Sequence, residues 1–141
     1  EDIYNIIPTG GHVYTYDMPG KEIKILLENI LDAVINYDAY SRVGGDMIRF
    51  SGLNIVYDLA NVRGERIISI TTTDGQPFLA DKVYSIASVN TRFQNNPLFG
   101  ATNVVDTGKV FADVLIEYIR ANSPVKAALD ARIAPRKDTR N

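Results

Sequence analysis

The stretch GGDMIRFSGLNIVYD, from Gly44 to Asp58, gives the strongest structural signal in this chain. A glycine pair leads into residues that alternate with a period of two, through Met47 and Arg49 and on to Tyr57. That period is typical of a β-strand, and the glycines permit a tight entry or a close approach to a ligand or a neighbouring domain. The sequence therefore predicts a loop from Asn36 to Gly45, followed by one long strand.

The segment that follows Pro19 and Gly20 has the period of a helix. Its apolar positions share one face: Ile23, Leu26, Leu27, Ile30, Leu31 and Val34. Its charged positions are expected mainly on the opposite face: Glu22, Lys24, Glu28 and Asp32. A second helix is predicted to begin at Thr107 or Gly108. Its apolar face holds Phe111, Val114, Leu115, Tyr118 and Ile119. A short third helix is predicted through about Arg132, with Ser123 as its N-cap.

Three further strands are predicted, at His12–Asp17, Arg66–Thr73 and Lys82–Asn90. Asp74-Gly75 is a hairpin signal after the second of these, and Thr91–Thr102 is a polar loop. Helices and strands mix without strict βαβ alternation. The predicted fold class is therefore α+β, a single domain with a mixed, largely antiparallel sheet packed against helices.

The chain has 141 residues, of which 45% are hydrophobic and 23% charged, as in ordinary globular proteins. A net charge of −2 gives no argument for binding nucleic acid, and no apolar run approaches the length of a membrane segment. We expect a domain over residues 1–133 and a polar tail over 134–141. Basic residues near the end fit a solvated tail or linker: Arg132, Arg136, Lys137 and Arg140.

Catalytic constellations are not evident in this sequence. A two-metal phosphoesterase centre needs clustered histidines and aspartates, but His12 is the single histidine and the aspartates have no ligand-like spacing. Cysteine is absent, and no glycine-rich phosphate loop precedes a helix. We therefore expect no catalytic residue, metal or cofactor in this chain, which alone is not expected to be an enzyme.

Four segments together resemble one family: Asp2-Ile3-Tyr4-Asn5, Pro8-Thr9-Gly10-Gly11, residues 44–58 and Val105-Asp106-Thr107-Gly108. From about Asp2 to Ile133 the chain resembles the C-terminal domain of the 5'-nucleotidase family, which includes UDP-sugar hydrolases, 2',3'-cyclic phosphodiesterases and a sulfur-oxidation thiosulfohydrolase. The resemblance implies an excised C-terminal piece of a longer protein. That protein would be periplasmic, cell-surface or secreted, with divalent metals in an N-terminal metallophosphoesterase domain that is this chain's partner.

The resemblance also implies where a nucleotide substrate would bind. Adenine-nucleotide members of the family clamp the base between two phenylalanines, and both positions are threonine here, Thr9 and Thr91. The aspartate that holds ribose hydroxyls aligns with Pro97. Losing two stacks of about 1–3 kcal/mol each would weaken nucleoside binding by roughly two to four orders of magnitude. A replacement ring could come from Phe93, Phe99 or Tyr40; alternatively, the two phenylalanines are packed loop anchors.

The substrate-binding residues predicted on this basis are Thr9, Gly10, Arg49, Asn90, Thr91, Arg92, Phe93 and Phe99. Arg49 suits bidentate contact with an anion; the alternative is an arginine on the solvent face paired with a neighbour. Arg92 is either an anion contact or a mobile loop residue, and the Asn90 amide could hold a ribose or backbone group. Asp106, Thr107 and Gly108 are expected to cap a helix and permit a turn.

Three functions remain open at this point. The resemblance implies, first, a substrate-binding domain of a two-domain phosphoesterase that hydrolyses nucleotides or related phosphate esters. A second possibility is the sulfur branch, which acts on a carrier-bound thiosulfonate and needs no base clamp. Segments Lys21–Asn29, Asp38–Tyr40 and Gly44–Arg49 resemble that branch more closely, whereas Asp2–Asn5 with Pro8 resembles the nucleotidases more closely. The third is a non-catalytic interaction module, which the two threonines favour.

Overall fold

A computed structural model describes residues 2–6, 10–36, 38–42, 49–89, 100–126 and 131–137. Within them lie three α-helices, α1 (Asp2–Ile6), α2 (Gly20–Ile35) and α3 (Phe111–Asn122), with a short 3₁₀ turn at Ala39–Ser41. The strands are β1 (His12–Pro19), β2 (Leu53–Tyr57), β3 (Ile67–Thr72), β4 (Val83–Ser88), β5 (Thr102–Val110) and β6 (Ile133–Pro135).

The chain divides into two compact units, Glu1–Pro19 with Val83–Leu129 and Gly20–Lys82 with Asp130–Asn141. The first unit holds an antiparallel sheet of order β4-β1-β5. The second holds a sheet of order β3-β2-β6, in which β2 pairs antiparallel with β3 and parallel with β6. The strands thus form two sheets of largely antiparallel pairing rather than one.

The second unit is built on the apolar face predicted for α2. Ile23, Leu27 and Leu31 are buried at intervals of four residues, as one helix face requires. Ile55 from β2 and Ile67 from β3 are buried too. A small apolar pocket shows that helix and sheet meet here, and it is lined by Leu27, Ile30, Leu31, Phe50, Ile55, Ile67 and Ile133.

The charged face predicted for α2 is wrong at two positions. Glu28 is 4% exposed and Asp32 5%. The Glu28 carboxylate accepts hydrogen bonds from the backbone N–H groups of Arg66 (3.2 Å) and Ile67 (2.7 Å). Asp32 accepts from Nη1 of Arg66 at 2.8 Å. Both carboxylates are buried because they satisfy groups at the start of β3.

Two strand and helix boundaries also differ from the predictions. Within the described residues, the long strand begins later than predicted. Residues 49–52 are not in a strand, and Gly52 bends the chain with a φ of +94°. Residues 43–48 lie outside the described part. Thr107 and Gly108 do not begin a helix but continue β5, where the Thr107 hydroxyl donates to the Val13 carbonyl at 2.6 Å.

The third helix is wrong within the described residues. Ser123 follows the last residue of α3 instead of capping a new helix, and residues 131 and 132 are not helical. The chain then enters β6, which is flanked at each end by a backbone hydrogen bond of 2.7 Å. Ile55 N–H donates to the Arg132 carbonyl, and Arg136 N–H donates to the Tyr57 carbonyl. In α3, Tyr118 is 55% exposed, so it does not belong to the packed face.

Gly52 provides a local test of this fold. Replacing Gly52 by alanine should lower the free energy of unfolding by about 1–2 kcal/mol, because a side chain is strained in the left-handed region. The Gly52 carbonyl accepts from Thr73 N–H at 3.1 Å, which limits relaxation of the bend. Gly10→Ala is the control, since Gly10 has open space and a φ outside that region. Equal urea midpoints for the two variants would contradict the assignment.

Candidate functional site

Two of the eight predicted substrate-binding residues, Gly10 and Arg49, lie within the described part of the chain. The other six lie outside it: Thr9, Asn90, Thr91, Arg92, Phe93 and Phe99. Gly10 belongs to the first unit and Arg49 to the second. For the six, the structure supplies the positions of flanking residues, and their roles stay predictions.

The first unit brings Gly10 and Gly11 to the point where the chain enters residues 90–99. Because β1 and β4 are antiparallel, with Tyr14 opposite Ser88, the start of β1 meets the end of β4. A Cβ placed on Gly11 would lie 3.8 Å from the carbonyl oxygen of Val89. The Pro8–Gly11 segment and the 90–99 segment were predicted to share a site, and their described neighbours are adjacent.

The chain returns from residues 90–99 beside the other end of β1. Thr102 in β5 is paired with Asp17, and the Asn103 side-chain amide donates to the Asp17 carboxylate at 2.8 Å. Asn103 has a positive φ of 52°, which asparagine tolerates better than most residues. The described strands on either side of segment 90–99, β4 and β5, therefore both pair with the central strand β1.

His12 and Asp106 form a pair on this sheet that the sequence analysis did not identify. Nδ1 of His12 lies 3.0 Å and 2.9 Å from the two carboxylate oxygens of Asp106, and both side chains are a little under half exposed. The hydrogen bond with His12, followed by the one from Gly108 N–H, holds the pKa of Asp106 below its usual value. Asp106 does not cap a helix as predicted; it joins β5 to β1.

Arg49 is exposed in the second unit and precedes the bend at Ser51 and Gly52. No described residue pairs with it, so the alternative of a neighbour-paired surface arginine gains no support from the described part of the chain. An exposed, unpaired guanidinium keeps all its N–H donors available for an anion. Its predicted mid-strand position is wrong, but its predicted chemistry is compatible with its surroundings.

Tyr40, a possible replacement ring, is 98% exposed on the 3₁₀ turn of the second unit. Asp38 caps this turn by accepting from Tyr40 N–H at 3.0 Å and from the Ser41 hydroxyl at 2.8 Å. These contacts, led by the Ser41 hydrogen bond, lower the pKa of Asp38. The backbone that carries the ring is thus fixed while the ring itself contacts solvent.

The described residues do not fit a two-metal centre. No group of three or more histidine, cysteine, aspartate or glutamate side chains converges among them. The carboxylates of Asp32 and Glu28 accept hydrogen bonds from groups at the start of β3, and the Asp106 carboxylate bonds to His12. None of the helices within the described residues is long and apolar enough to cross a membrane.

Comparison with known proteins identifies the family of this chain. The family model described as "5'-nucleotidase, C-terminal domain" matches residues 1–104. The chain belongs to this family. The resemblance read from its four sequence segments is therefore confirmed.

Relatives of known sequence are longer than this member of the 5'-nucleotidase family. An apyrase from Tabanus yao is 28% identical over 144 residues, covering 93% of this chain and 25% of the apyrase. Protein UshA of Yersinia enterocolitica is 24% identical over 132 residues, covering 91% of this chain and 22% of UshA. The chain thus spans about a quarter of the length of these relatives.

Solved structures of the family share the fold. A 5'-nucleotidase precursor from Thermus thermophilus matches with a TM-score of 0.75 and 25% identity, over 94% of this chain and 27% of that one. The sulfate thiohydrolase SoxB from Thermus thermophilus matches with a TM-score of 0.67 and 24% identity, over 94% and 23%. The predicted α+β class is confirmed by these neighbours.

Proposed function

We propose that this chain is the substrate-binding C-terminal domain of a metal-dependent phosphoesterase that hydrolyses nucleotides or related phosphate esters. The observation that carries the proposal is the match of residues 1–104 to the 5'-nucleotidase C-terminal domain family. An N-terminal metallophosphoesterase domain of the same polypeptide would be its partner and would hold the divalent metals. The parent protein would be periplasmic, cell-surface or secreted.

The donor set of this chain supports that division of labour. Binuclear phosphoesterase centres use several histidines and aspartates around each ion, whereas this sequence has one histidine. That histidine is engaged by Asp106. Within this proposal the chain binds and orients the substrate, and the other domain supplies the metal-activated water.

Substrate would be held through Thr9 and Gly10, the Gly44–Arg49 segment and the Asn90–Phe99 loop. Gly10 precedes Gly11, whose Cβ position is 3.8 Å from the Val89 carbonyl oxygen, and no described atom lies within 4 Å of a Cβ built on Gly10. Arg49 and Arg92 would contact the phosphate, and Asn90 a ribose or backbone group. Phe93 or Phe99 would replace a stacking ring lost at Thr9 and Thr91.

A second candidate is hydrolysis of a thiosulfonate on a carrier protein. Threonine at both base-clamp positions favours it, because such a substrate presents no base to stack. Arg49 and Arg92 would then contact a sulfonate, an anion whose tetrahedral arrangement of oxygens resembles that of phosphate. An interaction module without catalysis is the third candidate and would follow if the parent lacked the metal ligands upstream.

The proposal is tested with the protein extended upstream to include the metal domain. With manganese present, we compare phosphate release from AMP, UDP-glucose and 2',3'-cyclic AMP with hydrolysis of an S-sulfonated cysteine peptide. Turnover of a nucleotide or sugar nucleotide supports the first candidate, and turnover of the peptide alone supports the second. Silence on all four, with the metals bound, would refute both and favour the interaction module.

Arg49→Ala is expected to raise KM for the preferred substrate of the extended protein about tenfold. The reason is that a hydrogen bond between charged groups contributes about 1.5–3 kcal/mol to binding. Arg120→Ala is the matched control, an exposed arginine in the last turn of α3. Steady-state kinetics measures both. Equal KM values for the two variants would remove Arg49 from the site.

A further inference from the structure

In the His12–Asp106 pair, one ring nitrogen faces the carboxylate and the other is left for a ligand. A carboxylate accepts hydrogen bonds and does not donate them, so Nδ1 of His12 must carry a proton to bond with Asp106 at 2.9–3.0 Å. In the neutral ring, Nε2 is then unprotonated and presents a lone pair. With a side-chain exposure of 44%, the ring is open to ligands.

Neighbouring groups hold Asp106 in the position that this arrangement needs. Gly108 N–H donates to its carboxylate at 2.8 Å. Gly108 reaches this position with a φ of +67°, which glycine adopts without strain. The ring of Tyr14 lies 6.4 Å from that of His12, centroid to centroid. Asp106 is thus a positioning residue for the imidazole.

The pair also lies near Val89, the last described residue before segment 90–99, which holds five of the predicted substrate-binding residues. His12 follows Gly11, whose Cβ position is 3.8 Å from the Val89 carbonyl, and Val89 is the residue before segment 90–99. Gly10, one of the predicted substrate-binding residues, is two positions before His12. A ligand bound at Gly10 would therefore lie in the neighbourhood of the imidazole.

We infer that His12, oriented by Asp106, contacts a sugar hydroxyl of the substrate through Nε2. A hydroxyl can donate a hydrogen bond to the Nε2 lone pair. A phosphate dianion can only accept, so it would be repelled by that lone pair and by the Asp106 carboxylate on the far side of the ring. His12 therefore helps to determine specificity for ribose in this inference, although it is not one of the two base-clamp positions. The inference rests on the proposed function, since it presupposes a nucleotide or related sugar-bearing substrate.

The tautomer is measured first, in the unmodified chain. His12 is the single histidine, so the imidazole ¹⁵N signals need no assignment by mutation. A protonated Nδ1 and an unprotonated Nε2 in the neutral ring are expected. The opposite tautomer would overturn the inference without bearing on the proposed function.

Ligand binding is then followed by NMR titration with AMP, with 2',3'-dideoxy-AMP and with inorganic phosphate. AMP should shift the Nε2 signal and bind about five- to tenfold more tightly than the dideoxy compound, the effect of one hydrogen bond. His12→Phe and Asp106→Asn should each remove this difference. Asp113→Asn is the matched control, an exposed carboxylate of the same unit that accepts from the Tyr4 hydroxyl at 2.9 Å, and should preserve it.

The outcomes separate this inference from the proposed function. If AMP and its dideoxy analogue bind equally well, His12 does not contact the hydroxyls, while the nucleotide function stands. If phosphate alone shifts Nε2, the pair is an anion contact and the inference is wrong. If no nucleotide binds at millimolar concentration, the proposed function for AMP fails and the inference fails with it.

Discussion

Asp32→Ala is expected to lower the free energy of unfolding by about 3–5 kcal/mol, because it leaves the buried Arg66 guanidinium without its carboxylate partner. The Arg66 residue is 7% exposed, and its Nη1 donates to Asp32 at 2.8 Å. Its Nε is buried and has no partner among the described residues. Little is therefore available to compensate the guanidinium once Asp32 is removed.

Loss of the ion pair between Arg63 and Asp32 adds little to this effect. Its Nε lies 3.1 Å from the second Asp32 oxygen, but its side chain is 71% exposed. Ion pairs with exposed partners contribute about 0–1 kcal/mol. The larger part of the effect comes from the buried pair, which joins α2 to the start of β3 within the second unit.

Urea denaturation followed by circular dichroism measures this effect. Glu117→Ala, which removes an exposed carboxylate from α3, is the control and should change stability by less than about 0.5 kcal/mol. The double variant Asp32→Leu/Arg66→Met should recover at least about half of the loss, because apolar side chains of similar volume remove both charges. If the double variant were less stable than Asp32→Ala, unpaired charge would not be the cause.

The same cluster shows what the sequence of α2 could and could not predict. The apolar period placed Ile23, Leu27 and Leu31 on the buried face because burial of apolar side chains is a local property of the helix. Glu28 and Asp32 were assigned to solvent because their partners are not local. The groups that they bind, at Arg66 and Ile67, are 34 to 39 positions away, and only the tertiary fold brings them together.

Glycines and cross-strand bonds explain the other wrong boundaries. Alternation through residues 49–58 is real, but Gly52 turns the backbone before the described strand begins at Leu53. Thr107 and Gly108 have residue types common at helix starts. They nevertheless extend β5, since the Thr107 hydroxyl bonds to β1 and Phe111 N–H donates to the Gly11 carbonyl at 2.8 Å.

For the candidate site, sequence motifs located the segments but not the partner of His12. A lone histidine in a strand is commonly a surface residue, and Asp106 is 94 positions away. The pairing of Tyr14 with Asp106 in the β1–β5 register creates the contact. One signal was present in advance, because both residues lie in or directly beside segments that carry the family resemblance.

Restoring aromatic residues at the two base-clamp positions should strengthen AMP binding by roughly two orders of magnitude. The double variant Thr9→Phe/Thr91→Phe would supply two base–aromatic stacks, each worth about 1–3 kcal/mol, and about 1.4 kcal/mol corresponds to a factor of ten. Isothermal titration calorimetry of the chain and its variants with AMP gives the dissociation constants. Both positions lie outside the described residues, so this prediction rests on the family's sequence pattern.

Ribose 5-phosphate is the matched ligand control, because it keeps the sugar and phosphate but has no base. The double variant should leave its affinity unchanged, and each single variant should give about half of the gain in free energy for AMP. An equal gain for both ligands would show that the rings act by some means other than stacking. No gain for AMP would mean that another ring already occupies the base, in which case Phe93→Ala and Phe99→Ala in the unmodified chain should weaken AMP binding and identify it.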